Sequence, residues 1–109
     1  MIQEMQLGQS RPSGTTAVSI YSPTSGTWIC KSIIVCNSSS SLARYSIYHD
    51  EDGTTYDETT ALFFSVEIHA NTTVMIDIFM AGSDPSGNVA VQTDTADALT
   101  FTMYGGEIR

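Results

Sequence analysis

The sequence predicts an all-β fold, namely an antiparallel β-sandwich of about eight strands with a jelly-roll-like arrangement. Short runs of alternating apolar and polar residues recur between turn signals, as in sandwiches and barrels. Thr, Ser, Ile, Val and Tyr dominate these runs, and they favour half-buried strands. The 109 residues fit one domain and leave no room for the crossover helices that parallel strands need.

The first predicted strand is set apart from the rest of the chain. It comprises residues 2–7 and is followed by a stretch rich in Gly and Ser that ends at Gly14. We therefore divide the chain into an N-terminal arm, residues 1–14, and a β-sandwich domain, residues 15–109. Because the arm is apolar, it can add a strand to its own sheet or to the edge of a neighbour's sheet.

Seven further runs have the strand pattern, and Pro, Gly, Asn and Asp at turn positions separate them. These runs are 15–21, 27–36, 42–49, 63–68, 72–80, 88–93 and 98–104. Run 27–36 is the most apolar, which predicts a central strand. The intervening residues 56–62 are ambiguous, because Asp57 and Glu58 could begin a single helical turn.

One face of each run supplies the predicted core. Its residues are Val18, Ile20, Ile34, Cys36, Tyr45, Ile47, Phe64, Val66, Ile68, Val74, Ile76, Ile78, Val89, Val91, Leu99 and Phe101. Further apolar residues fall off that face, among them Ile29, Ile33, Val35, Met75 and Met103.

Apolar side chains off the core face indicate a partner surface, since exposed apolar patches on soluble domains usually mark one. The candidate interface residues are Ile2, Met5, Leu7, Tyr48, Phe63, Phe79 and Tyr104. Alternatively, the second sheet or the N-terminal arm covers these positions. The pattern alone leaves both interpretations open.

The composition excludes several function classes. Twelve acidic residues against four basic ones give a net charge of −8, which argues against a nucleic-acid-binding surface. Apolar runs are far shorter than the ~20 residues that a membrane span needs. No basic or apolar signal region follows Met1, so we expect synthesis in a reducing cytosol.

Both cysteines fall in one predicted strand. Cys30 and Cys36 would lie roughly 20 Å apart at ~3.3 Å per residue. A disulfide requires Cα atoms within about 7 Å of each other. We therefore expect two free thiols.

The sequence predicts no enzymatic activity. His49 and His69 are the two histidines, and neither stands in a nucleophile, zinc-protease or phosphate-loop motif. Asp50 and Glu51 follow His49 directly, but neighbouring residues on a strand point to opposite faces. We expect both histidines to be ordinary surface residues and the protein to have no cofactor.

One acidic cluster deserves a separate hypothesis. Asp50, Asp52 and Asp57 could bind a calcium ion, since clustered carboxylates are typical ligands. Gly53 comes too early for an EF-hand loop, and a glutamate at the twelfth position is missing. We expect a solvated acidic turn without metal.

Three parts of the chain together carry a resemblance to a known group. They are LGQSRP at 7–12, IYSP at 20–23 leading to KSIIVCN at 31–37, and YHDEDGTTYD at 48–57 with TALF at 60–63. With these stretches the sequence resembles small β-sandwich virion proteins of tailed bacteriophages. The resemblance extends from Leu7 to Ile108, and its motifs are structural rather than catalytic.

The resemblance implies a capsid cement or decoration protein, located on the outer surface of the phage head. It implies a homotrimer bound to the major capsid protein, in a virion assembled in the host cytoplasm. The alternative is a head-tail or tail-fibre component that binds a receptor or a glycan. That alternative predicts exposed aromatic side chains at loop tips, for which Tyr56 and Phe63 are the best candidates.

Overall fold

The computed structural model describes residues 2–23, 27–51, 55–83 and 87–108, and nothing is stated about the side chain of Ile2. Nine strands lie within these ranges, and they are the only regular elements there. The strands are β1 (Ile2–Ser10), β2 (Val18–Tyr21), β3 (Trp28–Asn37), β4 (Ala43–Asp50), β5 (Ala61–Ile68), β6 (Thr72–Ile76), β7 (Met80–Gly82), β8 (Asn88–Thr93) and β9 (Leu99–Ile108). The described ranges contain no helix long and apolar enough to cross a membrane.

The strands form two antiparallel sheets. Sheet A has the order β1-β9-β3-β6, and β7 also pairs with β3. Sheet B has the order β2-β8-β4-β5. If β6 and β7 are counted as one interrupted strand, the first strand pairs with the last, the second with the second-last, and so on inwards. This nested pairing is that of a jelly roll, so the predicted fold class is confirmed.

The N-terminal segment is an edge strand of sheet A. β1 runs antiparallel to β9, from Ile2 opposite Ile108 to Ser10 opposite Phe101. Within one chain, residues 2–10 therefore add a strand to their own sheet, which is the first of the two alternatives predicted for the arm. Among the described strands, β1 pairs with β9 alone, so it is an edge of the sheet.

A bulge on β3 decides which of its side chains face inwards. Cys30 lies opposite Gly105 and Ser32 lies opposite Tyr104, so Lys31 is an extra residue on β3. Beyond the bulge, Ile33 and Val35 are fully buried, whereas Ile34 and Cys36 are only half-buried. The prediction of Ile34 and Cys36 as core residues is wrong, because one inserted residue reverses the alternation of faces.

A second bulge lies on β5. Val66 is opposite Tyr45 and Phe63 is opposite Ile47, so Phe64 and Ser65 together oppose a single residue of β4. Ser65 has a φ of 51°, and its amide donates a hydrogen bond to Ser46 Oγ at 3.0 Å. The predicted core position of Phe64 is therefore wrong, and its side chain is exposed.

The core lies between the two sheets. Many predicted core residues are buried there, including Ile20, Tyr45, Ile47, Ile68, Val89, Val91, Leu99 and Phe101. Val18, Val66, Val74, Ile76 and Ile78 are partly buried against them. The core also includes residues predicted to lie elsewhere, namely Ile33, Val35 and Met103. The ring of Tyr45 packs edge-on against Phe101 at 6.4 Å.

Candidate functional site

The residues predicted for a partner interface do not form one patch. Met5 on β1 and Tyr104 on β9 lie at neighbouring positions of the paired strands, whereas Phe79 lies between β6 and β7, at the opposite edge of sheet A. Phe79 is 75% exposed and Tyr104 is 41% exposed. Leu7 is partly buried against the core, and the Ile2 side chain lies outside the described part.

Tyr48 and Phe63 are predicted as interface residues, but Tyr48 is buried and Phe63 is partly buried. Tyr48 is 1% exposed, because Tyr56 packs against it with ring centroids 6.2 Å apart and its hydroxyl donates a hydrogen bond to Gln92. Phe63 packs partly against the core, 6.4 Å from the ring of Tyr45. Tyr56 is likewise only half exposed, so the expected aromatic side chains at loop tips are not found at these two positions.

The first open surface is a shallow depression on sheet A, here called the Tyr104 depression. It has a volume of about 460 Å³. Its lining is Glu4, Met5, Gln6, Lys31, Ser32, Tyr104 and Gly105. Lys31 projects from the β3 bulge and forms an ion pair with Glu4, reaching across β9. The hydrogen bond and charge of Lys31 lower the pKa of Glu4.

The Tyr104 depression thus combines one exposed aromatic side chain with one ion pair. Tyr104 supplies the exposed apolar side chain, whereas Met5 lies opposite Gly105 and is only half-buried at the margin. The sequence predicts both as interface residues. Met75 on β6 adds a further exposed apolar side chain to the same sheet, at 65% exposure. Such a face suits adhesion to a protein surface, where an apolar centre and a polar rim are typical.

The second open surface lies on sheet B and is here called the Phe64 groove. It has a volume of about 310 Å³. Its lining is Thr15, Arg44, Ser46, Phe64, Ser65, Gln92, Thr93 and Asp94. The residue pattern does not predict this groove, since the groove depends on the β5 bulge and joins residues far apart in the chain. The positive φ of Ser65, which accompanies the bulge, is seen only in the structure.

The polar residues of the Phe64 groove are held in place by one another. The Arg44 amide donates to Asp94 Oδ1 at 2.8 Å, and Arg44 Nη2 donates to Glu67 Oε2 at 2.8 Å. Gln92 Nε2 donates to the Thr15 carbonyl at 2.9 Å. These contacts fix the orientation of a cation, a carboxylate and an amide around one exposed phenyl ring.

A row of aromatic rings closes one end of the sandwich. Tyr21 and Trp28 pack edge-on at 5.2 Å, and Trp28 and His49 do so at 5.3 Å. Within the described residues, Trp28 Nε1 and His49 Nε2 are buried without a hydrogen-bond partner, and Glu51 Oε1 is 3.8 Å from His49 Nε2. The indole lies among buried neighbours, so this row serves the packing of the core.

The acidic loop has its own internal hydrogen bonds. Asp50 Oδ2 accepts from the Thr55 amide at 2.6 Å, and Asp57 Oδ1 accepts from the Thr59 amide at 2.8 Å. The hydrogen bonds from Thr59 lower the pKa of Asp57. Asp52 lies outside the described residues. In the described ranges, groups of three or more His, Cys, Asp or Glu placed to hold a metal ion are absent.

Both cysteines are free thiols, as the sequence predicts. Cys30 is fully buried, and burial raises its pKa from 9.0 to about 11 against a smaller opposing effect of its hydrogen bond to Ser32. Cys36 is half-buried on β3.

The comparisons with known proteins show similarity in fold and none in sequence family. No protein-family model matches the chain, and no curated protein matches it in sequence. A carbohydrate-binding module, CpGH89CBM32-6 produced by Clostridium perfringens, is 13% identical with a TM-score of 0.54, covering 96% of this chain and 94% of that one. The structural neighbours also include viral capsid proteins.

Two of these viral neighbours come from infectious bursal disease virus. The Gx strain structure is 12% identical with a TM-score of 0.51, and the VP2 subviral particle is 13% identical with a TM-score of 0.50. Each likeness covers 97% of this chain. The chain spans only 30% and 31% of the length of those viral chains. The comparisons therefore show a β-sandwich fold that viral capsid proteins share.

Proposed function

We propose that this protein is a structural virion protein that decorates the outer surface of a phage head and stabilises the shell. The observation that carries the proposal is the complete jelly roll, a fold shared with viral capsid proteins over 97% of the chain. The sequence resemblance to small virion proteins of tailed phages supports the same role. In this role the chain acts as a homotrimer bound to the major capsid protein.

The Tyr104 depression is the surface we assign to shell binding. A decoration protein stabilises a shell by binding the assembled state and not its separated subunits. This task requires apolar side chains held in place on a rigid sheet, and it requires no reaction. Tyr104 meets that description, because β9 lies between β1 and β3 and holds its side chain at the surface, opposite Gln6 of β1.

Particle imaging tests the location. Virions assembled with and without the protein are compared by cryo-electron microscopy, and density on the outside of the head is expected only when the protein is present. Density confined to the tail would reject the proposal. Sedimentation equilibrium of the isolated protein tests the homotrimer, which a monomer at all concentrations would contradict.

Point substitutions test the assigned surface better than a truncation does. Removing residues 1–7 would strip most of β1 from β9 and expose a new sheet edge. The variant Tyr104→Ser should instead weaken binding to empty heads at least tenfold, measured by co-sedimentation. Leu42→Ser is the matched control, since Leu42 is also 41% exposed but precedes β4 of sheet B. Equal binding by the two variants would remove the Tyr104 depression from the proposal.

A second candidate function is a receptor- or glycan-binding module in a head-tail or tail-fibre component. The observation in its favour is the likeness to a carbohydrate-binding module, which covers nearly the whole of both chains at a TM-score of 0.54. The imaging experiment separates the two candidates, because this one places the density at the tail.

A further inference from the structure

We propose that the Phe64 groove binds a short, neutral oligosaccharide. This inference deepens the second candidate function by naming a site and a ligand class, and it does not depend on shell binding. It rests on the combination of an exposed aromatic ring and a set of oriented polar groups in one concave surface of sheet B.

The aromatic ring is exposed by a specific feature of the backbone. The bulge at Phe64 and Ser65 turns the phenyl side chain out of the core, where simple alternation would have placed it, and leaves it 50% exposed. Ser65 adopts a φ of 51°, a conformation that residues other than glycine seldom adopt and that is common at binding sites. The Ser46 hydroxyl accepts the Ser65 amide and so holds the bulge in place.

An exposed ring of this kind is a suitable floor for a sugar. One face of a pyranose ring presents several C–H groups, and this apolar face packs against a flat aromatic ring. The hydroxyl groups at the sugar's rim then point away from the ring and need hydrogen-bond partners. Phe64 lies on β5, which pairs with β4. Polar side chains of β4 and β8 line the groove beside it.

Those polar side chains have capacity left for a ligand. A guanidinium has five N–H donors, a carboxylate accepts at about four positions, and an amide has two donors and two acceptor lone pairs. The internal contacts of Arg44, Gln92 and Asp94, including the hydrogen bond that Gln92 Oε1 accepts from Tyr48, use only part of this capacity. Because the same contacts fix the three side chains, a ligand would meet them already oriented, which reduces the entropic cost of binding.

Charge and size narrow the ligand class. The charged residues of the lining are Arg44 and Asp94, and Arg44 is already paired with Glu67, so the groove carries no excess positive charge, and the chain as a whole carries −8. Polyanions such as nucleic acids are repelled by such a surface. The volume of about 310 Å³ is at the low end of small-molecule sites. These features fit one or a few uncharged sugar units.

The test is a titration of the full-length ¹⁵N-labelled protein with defined probes. The probes are the tetrasaccharides of cellulose, starch, xylan, mannan and chitin, each added to about 10 mM, so that sites with Kd near 1 mM are detected. At least one probe is expected to shift the amide resonances of Phe64, Ser65 and Gln92 in a saturable manner. If all five probes leave these resonances unchanged, the proposal is wrong.

Two variants locate the binding. Phe64→Ala should weaken binding of the active probe at least tenfold, and Phe79→Ala, which removes another exposed phenyl ring on sheet A, should leave it unchanged. Equal binding by wild type and Phe64→Ala would overturn the site. Tighter binding of a sulfated tetrasaccharide than of its neutral counterpart would overturn the ligand class.

The test of sugar binding at the Phe64 groove can succeed or fail independently of the test of shell binding. Phe64→Ala should still co-sediment with empty heads, because the Tyr104 depression lies on the other sheet. Loss of sugar binding with shell binding retained supports the groove and the decoration role independently. Absence of sugar binding in a protein that decorates heads would reject the groove alone.

Discussion

A Cβ atom on Gly105 would lie 2.0 Å from the carbonyl oxygen of Ile29 on the neighbouring strand. Gly105 stands on β9 opposite Cys30, directly before the Lys31 bulge of β3. On the other side of β9, β1 carries its own extra residue, Leu7, opposite the pair Met103 and Tyr104. The bulges of β1 and β3 therefore lie against neighbouring residues of β9. The close approach of the Ile29 carbonyl to Gly105 requires glycine at this position.

Gly105→Ala should destabilise the protein by about 3 kcal/mol, because the new methyl group meets backbone atoms that cannot move aside. Urea denaturation measures the change in the free energy of unfolding. Gly14→Ala is the control, since a Cβ atom there would have open space around it. A similar small effect for both variants would mean that β3 and β9 can separate at this point without cost.

Ser65→Gly should stabilise the protein by about 0.5–1 kcal/mol. Glycine relieves the positive φ of 51°, and part of the gain is offset by the greater freedom of glycine in the unfolded chain. Asn71→Gly is the comparison, because Asn71 has a φ of 55° but asparagine tolerates this region better than serine does. The gain at position 65, measured by thermal and urea unfolding, should exceed the gain at position 71.

Residue alternation predicts the buried face correctly wherever a strand is regular. Alternation correctly assigned Val89 and Val91 on β8 and Leu99 and Phe101 on β9 to the core, where the strands run without an inserted residue. It failed beyond Lys31, because an extra residue changes the faces while leaving the composition unchanged. The residue pattern predicts that a strand exists, and the pairing partner decides where it bulges.

The two candidate surfaces were predictable to different degrees. The pattern predicts Met5 and Tyr104 as interface residues, because apolar residues off the core face are visible in it, and this stays a prediction. The Phe64 groove could not be predicted, since its aromatic ring was assigned to the core. Its polar groups come from β4 and β8, which the sequence separates by about half the chain and only the nested pairing brings together.

The two thiols should differ in reactivity in the native protein. Cys30 is fully buried, whereas Cys36 is half-buried on the outer side of β3. At pH 8 a thiol reagent such as DTNB should therefore modify one cysteine per chain, and both in denaturant. The Cys36→Ser variant should show no rapid reaction before unfolding. Rapid labelling of Cys30 in that variant would mean that the region opens locally.

Stability should also fall between pH 9 and pH 11. Burial raises the pKa of Cys30 from 9.0 to about 11, so in this range the unfolded chain loses a proton that the folded chain keeps. The unfolded state therefore binds fewer protons, and the free energy of unfolding decreases as pH rises, by on the order of 2 kcal/mol from this group. Comparison with Cys30→Ala isolates the effect, since the difference between the two proteins should shrink by that amount from pH 8 to pH 11.

Asn37 should be the most sensitive polar residue of the core. It is fully buried at the end of β3; its Nδ2 donates to the carbonyls of Ser41 at 3.0 Å and Ile68 at 3.1 Å, and its Oδ1 accepts from the Ser39 amide at 3.0 Å. Asn37→Ala removes the buried hydrogen bond to the Ile68 carbonyl and the two part-buried bonds to Ser39 and Ser41, and should cost about 3 kcal/mol. Asn37→Asp keeps the shape of the side chain but turns a carboxylate oxygen towards two carbonyl oxygens. The free energy of unfolding that this variant loses should be largest at pH 7. It should decrease as the pH falls, because the new carboxyl group is then protonated. Urea unfolding at pH 7 and pH 4 measures this difference, and an equal loss at both values would show that the packing around Asn37, and not its hydrogen-bond donors, holds the loop between β3 and β4.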